Sequence, residues 1–208
     1  MRKLQFLIVL FLGIVASAVS AQNMRDIFLN APDAIFPLLT KSYRADLVDY
    51  IDAGMKAKVT NKFDGVSVLE QLDDDYMRLA TTESSTMQMK LLPTQGDIII
   101  CVVKSVKAEA VDSRISFYDK EWNLLADGCR FSAPSIREFF ISPEAAAEHI
   151  DICDIHLVAL ELSANENTLI AEYTMPVYMS REDAERVKPC LRRLVYVWNG
   201  EMFCETKK

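Results

Sequence analysis

The segment His149-Ile-Asp-Ile-Cys-Asp-Ile-His156 gathers both histidines of the chain, one of its five cysteines and two aspartates. Imidazole and thiolate are ligands of zinc and copper, so His149, Cys153 and His156 are the candidate metal ligands, with zinc or copper as the ion that the donor set suits. On one continuous helix they would fall at i, i+4 and i+7 and share a face. The β-branched residues from Ile150 onward oppose that helix. They predict a helix end at His149, a junction at Cys153 and a strand carrying His156. The pattern therefore favours a capped helix end running into a buried strand, for which no cofactor is expected.

Other chemistry is sparser. A Ser or Cys hydrolase would need His149 or His156 as its base, and nothing local marks a nucleophile. No G-x-S-x-G, P-loop or G-x-G-x-x-G occurs, so no catalytic residue and no cofactor-binding loop is nominated. Asp73-Asp74-Asp75 lacks the turn-making glycine and the oxygen count of a calcium loop and reads as a solvated hairpin turn.

The elements that must position these residues begin after a leader. Arg2 and Lys3 precede an apolar run from Leu4 to Val15, and Val19-Ser20-Ala21 supplies small residues before a cut at Gln22. Residues 1–21 thus read as a signal peptide. The run is shorter than the ~20 residues of a spanning helix, so no stable membrane insertion is expected after signal removal. The expected location is periplasmic or secreted. The leader takes Arg2 and Lys3 and no acidic residue, so Lys plus Arg falls from 23 to 21 against 30 Asp plus Glu, a net charge of −9. Such a surface repels phosphate and disfavours nucleic acid or an anionic bilayer as partner.

Cys101, Cys129, Cys153, Cys190 and Cys204 have no C-x-x-C spacing, which excludes a zinc knuckle and a thioredoxin-type motif. Their odd number leaves at least one thiol unbridged. Cys101, inside DIIICVVKSV, reads as a small buried hydrophobe. A two-residue turn at Asn199-Gly200 would set Cys204 opposite Val195 with Cys190 beyond the ladder, so no bridge between Cys190 and Cys204 is expected.

Around these positions, helix and strand periods alternate. Tyr43, Leu47, Tyr50 and Ile51 make one helical face, with Ser42 as cap and Gly54 as stop. Period-2 patterns follow: Met77 and Leu79 alternate against Arg78, and Met87, Met89 and Leu91 against Thr86, Gln88 and Lys90, with Glu83-Ser84-Ser85 as the hairpin turn. Ile98–Val106 reads as a central strand, and Arg114–Asp119 places Ile115 and Phe117 opposite Ser116 and Tyr118. In the second half Ser142-Pro143-Glu144 opens a helix. DIHLVALELS and TLIAEYTM read as paired strands, Ser180-x-x-Asp183 caps another helix, and LRRLVYVWNGEMFCE is a terminal hairpin. The fold class is α+β, a mostly antiparallel β-sheet meander with short helices packed on one face. Residues 22–208 are expected to form one exported domain, with two similar lobes at 22–127 and 128–208 as the alternative. Two sheets, one per half, fit the same pattern.

The stretches DAIFPLLTKSYRADLVDYIDAGM, NKFDGVSVLEQLDDDYMRLATTESSTMQMKLLP and DSRISFYDKEW together resemble a family of secreted proteins of unknown function from the Bacteroidales. The resemblance extends over most of the mature chain and is strongest between residues 33 and 122. It implies a Gram-negative anaerobe and export to the periplasm or beyond. It confers no activity and no residue role. Patterned core, few histidines and no catalytic signature favour a non-enzymatic module that binds another protein or an envelope component. The alternative is a metal-dependent or hydrolytic enzyme centred on the junction 149–156.

Overall fold

The antiparallel meander expected of the first half is formed by six strands in sequence order: β1 (Lys58–Thr60), β2 (Val66–Leu72), β3 (Tyr76–Thr82), β4 (Ser85–Pro93), β5 (Ile98–Lys107) and β6 (Val111–Tyr118). The computed structural model describes residues 23–126 and 129–206. The expected signal peptide at 1–21 and the boundary at 127/128 between the two expected lobes lie outside the described residues.

β5 shows why the centre of the chain needs an unbroken apolar run. Ile100 and Val102 enter one hydrophobic cluster, while Ile99, Cys101 and Val103 enter another on the opposite face, as befits a strand covered on both sides. The first cover is helical. Helix α1 (Met24–Asn30), capped by Asn23, and helix α2 (Lys41–Asp52) bring Met24, Phe28, Leu47 and Val48 against Met77, Leu79, Met87 and Met89. The cap of α2 is Thr40, whose hydroxyl accepts from the Tyr43 N–H at 3.2 Å, and not Ser42. The earlier start lets the buried Arg44 guanidinium donate to Leu39 O at 3.0 Å and Ala31 O at 2.7 Å, satisfying a loop that would otherwise bury bare carbonyls. Gly54, at φ 65°, ends α2 as expected, with Met55 N–H donating to Tyr50 O and Gly54 N–H to Ile51 O.

The second cover is another sheet. Its strands are β7 (Val158–Leu162), β8 (Thr168–Tyr173), β9 (Leu194–Trp198) and β10 (Phe203–Glu205), in the order β10-β9-β8-β7. Helices α3 (Pro143–His149) and α4 (Arg181–Val187) lie before and within it. Val158 N–H donates to Asp112 Oδ1, Leu160 N–H to Ser113 Oγ and Leu162 N–H to Gln88 Oε1, at 3.2, 3.0 and 3.0 Å. β7 thus runs across β6 toward β4, and its edge donors end on side chains of the first sheet instead of on another strand. Gln88 and Lys90, the polar side of the β4 alternation, are consequently buried, at 3% and 1% exposure. Lys90 Nζ is held by Asp75 Oδ2 and by Ala164 O, both at 2.9 Å.

The terminal hairpin differs from the expected register. Asn199 Oδ1 accepts from the N–H groups of Glu201 and Met202, both at 2.9 Å, so the loop spans 199–202 instead of two residues. Cys204 therefore faces Val197, not Val195. All five cysteines are free thiols in the structure. Strands β1 and β2 and helix α1 have no counterpart in the periodicity.

Candidate functional site

Ser142 opens α3 by accepting from Ala145 N–H at 3.2 Å, Pro143 occupies the first turn, and His149 closes the helix as expected. Residues Ile150–Ile152 then tighten into one 3-10 turn, and Cys153 leaves it with φ −104° and ψ 69°. This geometry breaks the i, i+4, i+7 spacing. His156 does not reach a strand: it precedes β7, is exposed, and places Nε2 3.0 Å from Pro134 O. The strand begins only at Val158, after the solvent-facing run from Asp154 to His156.

The structure therefore places the candidate metal ligands in separate surroundings. His149 is 5% exposed, with Nδ1 lacking a hydrogen-bond partner among the described residues. Cys153 is packed in the core beside Tyr173, and burial pushes its thiol above the usual range. A thiol so held is a poor nucleophile and a poor ligand. Among the described residues no three His, Cys, Asp or Glu side chains form a group that could hold a metal ion.

His156 instead stands at one wall of a cleft of about 640 Å³. One side is the outer edge of β6. Phe117 O accepts from Leu125 N–H at 2.8 Å and Val111 O from Thr174 Oγ1 at 2.6 Å, both away from β5. Strand alternation then puts the amides and carbonyls of Ser113 and Ile115 on that same edge. No hydrogen-bond partner for those backbone groups is found on that side among the described residues. The opposite wall is the segment from Phe131 to Pro134, which carries no strand pairing. Ile115, Phe117, Phe131 and Leu160 give the cleft apolar surface, and Asp112 and Arg114 bring one charge of each sign.

The sequence carries part of this signal. DSRISFY alternates cleanly as a strand, but nothing in it tells an edge strand from a central one. The wall at 131–134 is neither helical nor alternating and offers no signal at all.

These features define an α+β protein whose antiparallel meander is buried between a helical pair and a second antiparallel sheet, with a cleft at the open edge of the meander. The chain belongs to the family described as protein of unknown function DUF3256, matched over residues 16–203. A solved domain of an uncharacterized protein from Porphyromonas gingivalis W83, a member of the Bacteroidales, is similar in fold. It has a TM-score of 0.77 and 24% identity, covering 90% of this chain and 100% of that chain. No curated protein matches. Among the described residues no helix is long and apolar enough to cross a membrane.

Proposed function

We propose that this chain is an exported, non-enzymatic binding module of the cell envelope that receives an extended segment of another polypeptide in the cleft beside β6. The supporting observation is the pairing of unmatched backbone groups at Ser113 and Ile115 with apolar walls in one cleft. An exposed strand edge offers main-chain hydrogen bonds to an added strand, and pockets alongside it select alternate side chains. Export rests on the leader expected at residues 1–21.

The test is selection of displayed peptides on the folded protein, followed by binding to an Ala133→Trp variant. Ala133 is exposed on the cleft wall, so the indole fills the cleft without entering the core. Selected peptides should lose binding to the variant. Peptides held equally well by both proteins would place recognition elsewhere and reject the reading.

A further inference from the structure

A second cavity, of about 210 Å³, lies on the helical side of the first sheet, where the segment from Phe36 to Leu39 passes over the ends of β4 and β5. Phe36, Leu39 and Met87, all buried, form its apolar wall. Lys104 lies at this cavity and remains open to solvent on one side. Among the described residues its ammonium makes one hydrogen bond, a long one of 3.4 Å from Nζ to Ile35 O, and no ion pair. Partial desolvation holds its ammonium below the usual lysine value. The residue directly across the ladder from Lys104 is Arg114, a second cation without an ion-pair partner among the described residues. Like charges opposite one another weaken a sheet.

We infer that the cavity binds a small apolar carboxylic acid, its carboxylate on Lys104 and its alkyl chain against Phe36, Leu39 and Met87. An anion beside Lys104 supplies the charge-assisted hydrogen bond that Ile35 O supplies weakly, and it relieves the repulsion from Arg114. The size of the ligand follows from the cavity. At roughly 30 Å³ per water-sized group, 210 Å³ takes about seven such groups, a short chain and not a long fatty acyl tail. This site lies on the opposite face of the sheet from the second sheet and stands whether or not the β6 cleft binds a polypeptide.

The probe is hexanoate, with hexanol and hexylamine as neutral and cationic controls, followed by calorimetry and by the ¹³Cε resonance of Lys104. Hexanoate should bind, hexylamine should not, and the Lys104 resonance should titrate at higher pH when hexanoate is present. Lys104→Met keeps the stem and removes the charge. It should weaken hexanoate about tenfold or more, the loss of one hydrogen bond to a charged group, and leave hexanol unaffected. Arg114→Gln should weaken hexanoate less. Leu38→Trp, at the cavity rim, should exclude hexanoate and hexanol together, and thermal melts of each variant establish that it is folded. Equal binding of hexanoate to wild type and to folded Lys104→Met would overturn the inference, as would absence of hexanoate binding or preference for hexylamine.

Discussion

The backbone N–H of Leu162 donates to the side-chain Oε1 of Gln88 at 3.0 Å, joining the edge of the second sheet to the face of the first. The same oxygen accepts from the Tyr76 hydroxyl at 3.3 Å, and Gln88 is 3% exposed. One amide side chain thus satisfies a buried strand edge and a buried phenol, and the sheets are held in register by it and, farther along β7, by Ser113 and Asp112 of β6.

Truncating that amide should leave two buried donors unmatched. Gln88→Ala is expected to destabilise the fold by about 1–3 kcal/mol, lowering Tm by roughly 2–12 °C for a chain of this size. Urea unfolding of the variant checks this. Wild-type stability would mean that water or rearrangement replaces the amide at no cost.

The Lys90 ammonium sits nearby with its Nζ 2.9 Å from Asp75 Oδ2, Lys90 being nearly sealed and Asp75 half exposed. Removing the carboxylate strands the buried charge, whereas removing the ammonium does not. Asp75→Ala should therefore destabilise more than Lys90→Met, in which an apolar chain fills the same volume. Matched denaturant curves decide the order, and the reverse order would show that the ammonium is not buried as described.

How much of this was legible can be argued from β4. Met87, Met89 and Leu91 on one side and Gln88 and Lys90 on the other specify a strand with the correct faces, but not its register: the turn is Glu83-Ser84, Ser85 already pairs with Thr82, and Met87 faces Leu79. The same alternation gives no sign that the polar side is covered, because Gln88 and Lys90 are buried by residues from 158 to 164, brought over by the chain's long-range fold. The helix start at Pro143 and the end at His149 were readable from local cap chemistry. His149, Cys153 and His156 looked like one site only because they are close in sequence, and a single 3-10 turn separates them. β1, after which come the turn residues Asn61-Lys-Phe-Asp-Gly65, has only three residues, and β2, though seven long, carries a register shift between Leu69 and Gln71 that breaks its alternation. The β6 cleft depends on which strand is at the edge, and that is a property of sheet order.

Acid should weaken the fold through carboxylates that hydrogen bonds hold below their ordinary value of 3.8. Asp52 is held there by the Arg25 guanidinium, Asp97 by the Ile98 N–H and then Lys120, and Asp119 by the Asn123 side chain. A carboxylate whose pKa is lower folded than unfolded contributes stability that is fully present above the unfolded value and is lost as pH falls through the folded one. Tm should thus be steady from pH 7 to 5 and decline below about pH 4. The double variant Asp97→Asn, Asp119→Asn should show a shallower decline in thermal melts across that window.

Thiol reactivity should follow burial. Cys101 and Cys153 are buried and held above the usual range, Cys190 is partly buried, and Cys129 and Cys204 are exposed. Iodoacetamide on the reduced, folded protein should modify Cys129 and Cys204 first and leave Cys101 and Cys153 unmodified until denaturant is added. Peptide mass mapping reads the order. Early modification of Cys153 would show that the junction 149–156 opens.

Metal content bears directly on that junction. The separate surroundings of His149, Cys153 and His156 predict that native mass spectrometry of protein from an exporting host gives the chain mass without a retained ion. One transition-metal ion retained, and released on acidification as its ligands protonate, would mean that the junction rearranges to bind it.

The most direct test of the open β6 edge is amide hydrogen exchange resolved at Ser113 and Ile115. In the free protein these two amides should exchange far faster than those of Arg114 and Ser116, which face β5, and a cleft-binding peptide from the displayed selection should slow both. Ser113 and Ile115 already protected in the free protein, or exchanging at an unchanged rate under saturating peptide, would contradict the edge as a polypeptide-binding site.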